Sequence, residues 1–479
     1  MGMLRRYEGL SVGAKAAIWF TACNALNRGI NFITMPFLTR AMPDAQYGVV
    51  TVYNSWLAII LAVVALNIYG SCFNTAMMKY EERRPVLLAS GFTLILGLCA
   101  VAFAVGCIGL GLFERLFTLP GELVLCIAFN VFATAEFALW AAYQRFEYGY
   151  RSLFALTVVF VVLPAVASVV TTWLWPVADQ KAVVKVVSQL CVSVPVVACL
   201  GLSIMRKARF TVDFGIWKYL LLFAIPLLPH YLSMIVLGQS DRIMIASMVG
   251  QTQAAYYAVS YQISIASSIV ITAMTSAVVP WLYRMMKAGA VEPGARGKVA
   301  TVSAIAAAVN FMLAAAAPEI ICVFAPESYR EAMYLIPAIA GSTYFSYLYG
   351  MFVNVELYYE KKRYTVIISL VAALLNVGLN WLLIPVFGYQ VSAYTTLICY
   401  ALMGLGHTIA AKRVSRDSGI EFVDARAIWG IAALLIVANQ AVTFVYPHPF
   451  VRYLSIAAIV AAAVVNRDKV RAVFKKSSK

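Results

Sequence analysis

The sequence contains little charge. Asp, Glu, Lys and Arg make up only 12% of its 479 residues, whereas about a quarter is usual in soluble domains. Hydrophobic residues make up 63%. This composition excludes a soluble enzyme, a disordered chain and a nucleic-acid-binding domain as first interpretations, and it is typical of a protein whose surroundings are mostly lipid.

Residue patterns that carry enzyme chemistry are also missing. The chain has three His and nine Cys without a CxxC pair, and it has neither a GxSxG turn nor a glycine-rich phosphate loop. The connections between apolar runs are too short to hold a soluble catalytic domain. The sequence therefore predicts no enzyme activity, no metal site and no cofactor, and it places the function within the apolar runs.

Long apolar runs fill nearly the whole chain. A segment that crosses a bilayer must satisfy its own backbone hydrogen bonds, so each run is predicted to be a helix. Fourteen such runs can be counted between residues 14 and 466. The predicted fold class is all-α, a polytopic membrane protein with about 14 transmembrane helices.

Lys and Arg are distributed unevenly between the two sides of these predicted spans. Of the 37 basic residues, 29 fall on the side that holds both termini, seven fall on the other side, and Arg28 lies inside a span. Because cytoplasmic loops are enriched in Lys and Arg, we expect both termini in the cytoplasm. The net charge of +16 is then a property of these loops.

A weak internal repeat divides the chain. The stretch Leu38–Asn54, shifted by 207 positions, falls on Ile245–Tyr261, and both pass from an apolar helix end through a polar turn with a Gln into the next helix. The repeat predicts two six-helix halves of parallel topology. The predicted organisation is an N-lobe over 1–205, a C-lobe over 206–412, and two extra helices with a basic cytoplasmic tail over 413–479.

The first apolar run contains a polar face. Asn24, Asn27, Arg28 and Asn31 follow the i, i+3, i+4, i+7 spacing that places residues on one side of a helix. The polar residues argue against a cleavable signal. The face either lines a wet cavity that binds substrate, where Arg28 would suit phosphate, or forms hydrogen bonds between helices.

Five further ionisable residues in apolar runs are candidates for ion coupling or gating, because charge in a bilayer is costly. The alternatives are helix-to-helix hydrogen bonds for the carboxyl groups, and an interfacial Asp–Arg pair with a packed His in the seventh run. The tyrosines near residue 350 either stack on sugar or form an interfacial belt. The five candidates are Glu136, His230, Asp241, Arg242 and Glu356.

Several stretches between residues 29 and 400, taken as an ordered set, resemble bacterial oligosaccharide flippases and polysaccharide exporters of the multidrug/oligosaccharidyl-lipid/polysaccharide (MOP) superfamily, including O-antigen flippases. The last 80 residues match only in hydropathy. The matching stretches include GINFITMPFLTRAMPDAQYGVVTVYNSW (29–56), KYEERR (79–84), RFEYGYR (145–151), PLLPHYLS (226–233), QSDRIMI (239–245), FAPESYREAMYLIP (324–337), NVELYYEKK (354–362) and GYQVSAYTTLICY (388–400).

The resemblance implies a MATE-like fold with two six-helix lobes around a central cavity. It implies a flippase in the bacterial inner membrane that moves a polyprenyl-diphosphate-linked saccharide to the outer leaflet for polysaccharide biosynthesis and export. The implied partners are this lipid-linked saccharide, membrane lipids, H+ or Na+, and glycosyltransferases or a polymerase, with no nucleic acid. Arg28 falls on the segment that lines the cavity in relatives. The alternatives are a cation-coupled multidrug exporter, a lipid II flippase, or a polysaccharide polymerase or ligase.

Overall fold

The computed structural model of the chain describes residues 11–417, 419 and 424–467. Within these ranges the secondary structure consists of helices and their connections, without a β-strand. The prediction of an all-α protein is therefore confirmed.

Nineteen α-helices lie in the described ranges. The first eleven are α1 (Val12–Ala41), α2 (Asp44–Ala65), α3 (Ser71–Lys79), α4 (Arg84–Ile108), α5 (Leu110–Phe117), α6 (Gly121–Phe146), α7 (Tyr150–Leu174), α8 (Lys181–Lys207), α9 (Phe214–Ala224), α10 (Leu228–Met248) and α11 (Gln251–Ile265). The others are α12 (Ser267–Ala288), α13 (Ala295–Ala315), α14 (Ala317–Phe324), α15 (Ile336–Tyr358), α16 (Lys362–Phe387), α17 (Val391–Asp417), α18 (Ala425–Phe444) and α19 (Pro449–Val465).

Many of these helices are long and apolar enough to cross a membrane. Among the described residues, nine stretches qualify: α2, α4, α6, α7, α8, α13, α16, α18 and the continuous stretch α11–α12. The pair α9 and α10 forms a tenth candidate, bent by 58°. The bend lies at Pro226 and Pro229, because proline removes a backbone donor and clashes with the preceding turn. The chain is a multi-pass membrane protein.

Three long helices, α1, α15 and α17, are absent from this set because their composition is too polar. The amides and Arg28 lower the hydropathy of α1, the tyrosines and serines lower that of α15, and threonines and His407 lower that of α17. Polar residues inside a membrane helix require a wet or protein-lined surrounding. These three helices carry most of the candidate functional residues.

Contacts between helices divide the chain into two compact units, residues 1–255 and 256–479. The lobe boundaries predicted from the repeat remain a prediction. In the first unit α1 packs on α7, with the rings of Trp19 and Phe154 at 4.5 Å. In the second unit α15 packs along α17, and α13 packs on α18.

Gly48 allows a close approach in the first unit. A Cβ atom at this position would overlap the backbone carbonyl of Gln251, so α2 and the start of α11 approach each other at a place that only glycine permits. Gly29 on α1 is different, because a Cβ atom there would meet nothing within 4 Å.

Candidate functional site

Helix α1 exposes a polar face. Asn24, Asn27, Arg28 and Asn31 are all exposed, and the Asn27 side chain donates a hydrogen bond to the Cys23 carbonyl at 2.8 Å. The four residues extend over seven positions, about two helical turns. The structure therefore presents the predicted polar face as one continuous strip on the surface of the first unit.

The same helix has a second exposed strip, which is apolar. Ile33 and Phe37 are 59% and 52% exposed. Ile33 lies about 140° from Arg28 and about 160° from Asn31 around the helix axis, because each residue turns the helix by roughly 100°. An apolar strip suits lipid, whereas a strip of amides and a guanidinium does not. The two strips thus face different surroundings.

Arg28 has no hydrogen-bond or ion-pair partner within the ranges that the structure describes. Its guanidinium presents a planar set of five donors, and this geometry matches the oxygens of a phosphate or carboxylate. An exposed arginine on the polar strip is therefore suited to bind an anionic ligand.

Glu136 is fully buried on α6, in the first unit. Neither carboxylate oxygen has a hydrogen-bond partner among the described residues. Such an orphaned group is rare in folded proteins, and burying a polar group without a partner costs about 2–7 kcal/mol. In the part of the chain that the structure describes, Glu136 therefore forms no hydrogen bond between helices.

Asp241 and Arg242 are both buried on α10, at 1% and 8% exposure. The Arg242 guanidinium donates to the side chain of Gln239 at 2.7 Å, and the Ser55 hydroxyl of α2 donates to the same Gln239 oxygen at 3.1 Å. Arg242 is thus part of a network that links α10 to α2. His230 lies on α10, but its side chain falls outside the described residues.

The second unit contains a cavity of about 720 Å³. Eleven of its sixteen lining residues carry a hydroxyl group, and none is charged. Tyr347 and Tyr349 of α15 are among them, which puts two of the predicted tyrosines at a cavity wall. Hydroxyl groups form hydrogen bonds in both directions, and aromatic rings supply flat apolar contact. The hydroxyl-bearing residues are Tyr261, Ser268, Thr272, Thr275, Ser276, Ser342, Thr343, Ser346, Tyr347, Tyr349 and Tyr400.

Glu356 of α15 is fully buried in the second unit and has two partners. One carboxylate oxygen lies 2.7 Å from Nδ1 of His407 on α17, and the other accepts a hydrogen bond from Thr365 on α16 at 2.9 Å. His407 is also fully buried, and its Nε2 has no partner among the described residues. The ring of Tyr349 lies 4.9 Å from the imidazole.

The sequence offered only an indirect signal for this pairing. A lone carboxyl group and a lone imidazole, each inside an apolar run, both require a polar partner. Glu356 and His407 are 51 positions apart, which hides the contact from the sequence, because helix periodicity describes only one helix at a time. Sequence reasoning identified Glu356 but missed His407 and Thr365.

The predicted site residues do not form one cluster. Within the described part of the first unit, neither Arg28 nor Glu136 forms a hydrogen bond or ion pair with Asp241 or Arg242. Glu356 belongs to the second unit. The structure thus contains a surface strip on α1, an isolated acid on α6, a network on α10 and a buried acid–imidazole pair between α15 and α17.

A family model of polysaccharide biosynthesis proteins matches residues 14–286, more than half of the chain. The chain belongs to the polysaccharide biosynthesis protein family. This family member is 25% identical over 267 residues to an Lsg locus protein of Haemophilus influenzae. The match covers 54% of this chain and 63% of that protein, so it spans less than two thirds of the relative's length.

Two solved structures share the fold of this polysaccharide biosynthesis protein. The lipid II flippase MurJ, in an inward closed conformation, is similar with a TM-score of 0.69 and 11% identity over 95% of this chain and 100% of MurJ. An inward-facing multidrug resistance MATE transporter of the MOP superfamily has a TM-score of 0.59 and 13% identity, over 84% and 98% of the two chains. These likenesses are of fold, and with the family they confirm the resemblance to MOP-superfamily polysaccharide flippases.

Proposed function

We propose that this protein is a flippase for a polyprenyl-diphosphate-linked oligosaccharide in surface polysaccharide biosynthesis. It moves the saccharide headgroup from the cytoplasmic to the outer leaflet by alternating access. The family membership and the fold it shares with MOP-superfamily transporters support a transport role rather than catalysis. The observation that carries the choice of substrate is the exposed strip of α1 with Arg28.

A diphosphate suits this strip. Arg28 supplies a planar cation, and the amides of Asn24, Asn27 and Asn31 supply donors and acceptors within two helical turns of it. A cavity for cationic drugs would call for acidic residues instead, because opposite charges attract. The basic strip therefore favours an anionic lipid-linked cargo over a cationic drug.

A saccharide suits the cavity of the second unit. Five of its hydroxyl groups already donate to backbone carbonyls of this chain, so their oxygens offer acceptors to a sugar, and Tyr349 offers a partly exposed ring for stacking. We assign this cavity, taken by itself in the second unit, to binding of a saccharide, and the strip of α1, taken by itself in the first unit, to binding of a diphosphate. The two assignments are independent and can be tested separately.

The topology is part of the proposal. Besides the ten candidate spans, α1, α15, α17 and α19 cross the membrane, which makes 14 spans in two six-helix lobes, 1–205 and 206–412, with α18 and α19 added. Both termini lie in the cytoplasm, and the protein resides in the bacterial inner membrane. Coupling to H+ or Na+ and contact with glycosyltransferases or a polymerase complete the proposal.

The proposed function is tested in a strain that lacks this protein, by measuring surface polysaccharide and lipid-linked saccharide in the membrane. We expect the surface polymer to be lost and the complete lipid-linked unit to accumulate on the cytoplasmic side. Build-up of outward-facing single units that fail to lengthen would indicate a polymerase instead. No change in either pool would refute the flippase and favour drug export.

The role of Arg28 is tested by complementing the same strain with variants. A hydrogen bond to a charged group contributes about 1.5–3 kcal/mol, so Arg28→Ala should lower export roughly 10- to 100-fold at normal protein level. Arg28→Lys should keep part of the activity because it retains the charge without the planar fork. The matched control is Arg151→Ala, which removes another exposed arginine at a helix end. Full export by Arg28→Ala would remove Arg28 from the site.

A further inference from the structure

The Glu356–His407 pair is isolated from other charges. Both side chains are fully buried, and within the described ranges the hydrogen bonds of the Glu356 carboxylate are those to His407 and Thr365. Among the described side chains, no charged residue on α12, α13, α15, α16, α17 or α18, or on the connection between α15 and α16, forms an ion pair with it, and all of them except Lys298 are exposed. They are Arg284, Lys287, Arg296, Lys298, Glu360, Lys361, Arg363, Lys412, Arg413, Arg416, Asp417 and Arg426.

The two sides of the imidazole are unequal. Nδ1 lies 2.7 Å from an oxygen of Glu356. With the carboxylate ionised, that oxygen accepts the hydrogen of Nδ1, and Nε2 of a neutral ring then carries the lone pair. Nε2 is buried without a partner in the described structure. One atom of this pair is thus an open position for a proton, and the adjacent carboxylate would balance the charge that the proton brings.

Protonation of Nε2 would change the kind of hydrogen-bond partner that this atom needs. The neutral ring presents an acceptor at Nε2, whereas the imidazolium presents a second N–H donor. No acceptor faces that donor among the described residues, and leaving a buried charged donor unsatisfied costs more than about 1–3 kcal/mol. Proton uptake therefore favours a different arrangement of α17 against α15, in which Nε2 reaches an acceptor or water.

The pair lies directly beyond the hydroxyl-lined cavity. Tyr349 of α15 and Tyr400 of α17 line the cavity, and each precedes its member of the pair by seven residues, or about two helical turns. The Tyr349 ring also contacts the imidazole, at 4.9 Å between ring centroids. A change at His407 thus reaches the cavity wall by two routes. One is the Tyr349 side chain, and the other is the packing of α15 against α17.

We propose that Glu356 and His407 form a proton-binding site, with Nε2 of His407 as the atom that takes the proton, and that Tyr349 couples its occupancy to the cavity. The proton site depends only on the geometry of the pair. The link to cargo rests on the proposed function. In this scheme Nδ1 stays hydrogen-bonded to Glu356 in both states, and the Nε2–H donor of the protonated ring is what favours a shifted packing of α17 against α15.

The proton site is tested by nitrogen NMR of the purified full-length protein labelled with ¹⁵N-histidine. The chain has only three His, so three pairs of ring signals are expected, and His407→Gln identifies one pair. His230→Gln and His448→Gln identify it by elimination if His407→Gln does not fold. We expect the His407 ring to hold a proton at Nδ1 alone at high pH and to gain a second proton at Nε2 as the pH is lowered.

Glu356→Gln provides the decisive variant. It keeps the size of the side chain but removes the balancing charge, so His407 should take up its second proton only at lower pH than in the unchanged protein. Glu360→Gln is the matched control, because Glu360 lies four residues further along and is exposed; it should leave the His407 signal unchanged. A His407 ring that keeps one protonation state throughout, or a titration that Glu356→Gln does not move, would overturn the proposal.

The coupling is tested with Tyr349→Ala, which removes the ring between the cavity and the imidazole. We expect it to move the His407 titration and to lower export in the complementation assay. An unchanged titration would refute the coupling. If His407 fails to titrate in a protein that restores surface polysaccharide, the proton site is wrong and the flippase stands. If His407 titrates but neither polysaccharide pool depends on the protein, the proton site stands and the flippase is wrong.

Discussion

Helix α19 is held to the second unit by an ion pair whose contribution can be estimated from its geometry. The Arg452 guanidinium donates to both carboxylate oxygens of Glu319 on α14, at 2.6 and 2.7 Å, and to the Ala315 carbonyl at 3.0 Å. The Tyr453 hydroxyl donates to Glu319 at 2.8 Å. Arg452 is 3% exposed, whereas the Glu319 side chain is 39% exposed. The pair is therefore half-buried.

The magnitude follows from these exposures. Removing one partner of a buried ion pair costs about 3–5 kcal/mol, whereas an exposed pair contributes about 0–1 kcal/mol. Glu319→Gln leaves the buried guanidinium of Arg452 without its counter-charge, but water reaches the carboxylate side. We expect an intermediate cost of about 2 kcal/mol for opening α19, which corresponds to a roughly 30-fold increase in the open population.

Hydrogen exchange of the purified protein measures this opening directly, since local unfolding sets the exchange rate of the α19 amides. We expect about 30-fold faster exchange of α19 in Glu319→Gln, and a double variant with Arg452→Gln should show that the two effects are not additive. The control is Glu327→Gln, because the Glu327–Arg330 pair is 85% and 68% exposed and should contribute little. Additive effects, or α19 exchange unchanged in Glu319→Gln, would refute the reasoning.

Two further predictions concern stability, measured as the thermal unfolding midpoint of the purified protein. Gly48→Ala should lower the free energy of unfolding by about 1–3 kcal/mol, because its Cβ atom would overlap the Gln251 backbone. Gly29→Ala has open space around it and should not destabilise the protein. Equal unfolding midpoints of the two variants would contradict the close approach. The indole of Trp281 and then the ammonium of Lys298 hold the pKa of Glu292 below its ordinary value of 4.5. The stabilisation from Glu292 is therefore complete above pH 4.5 and disappears as the pH falls through the lowered value, so Glu292→Gln should be less stable at neutral pH but equal to the unchanged protein in acid.

The helical nature and the membrane class of this protein could be predicted from its composition and apolar runs. Nine helical stretches and one bent pair in the described part of the chain are long and apolar enough to cross a membrane, and the count of fourteen spans stays a prediction. The bend at Pro226 could also be predicted, because proline breaks the backbone hydrogen bonds of its own helix. These properties depend on neighbours along the chain, and the sequence lists those neighbours directly.

The candidate sites divide in the same way. The polar strip around Arg28 follows from spacing within α1, and its exposure agrees with one of the two roles that the sequence left open. The pairing of Glu356 with His407 could not be predicted, because the two residues lie on α15 and α17, and the whole of α16 lies between these helices along the chain. Glu136 shows the opposite outcome. The sequence was compatible with a hydrogen bond from this carboxyl group to a neighbouring helix, and the structure shows no such bond among the described residues.

The sequence by itself thus determined that the surroundings are mostly lipid, where the chain is helical, and which residues share one face of a helix. These properties follow from backbone hydrogen bonds and helical periodicity, which act over a few residues. Only the tertiary structure decided which polar groups meet. It joined Glu356 to His407 and Glu319 to Arg452, and it placed hydroxyl groups from α11, α12, α15 and α17 around one cavity. It also left Nε2 of His407 without a partner in the described part of the chain. Those contacts depend on how distant helices pack, and packing responds to the shape of the whole unit rather than to any local pattern.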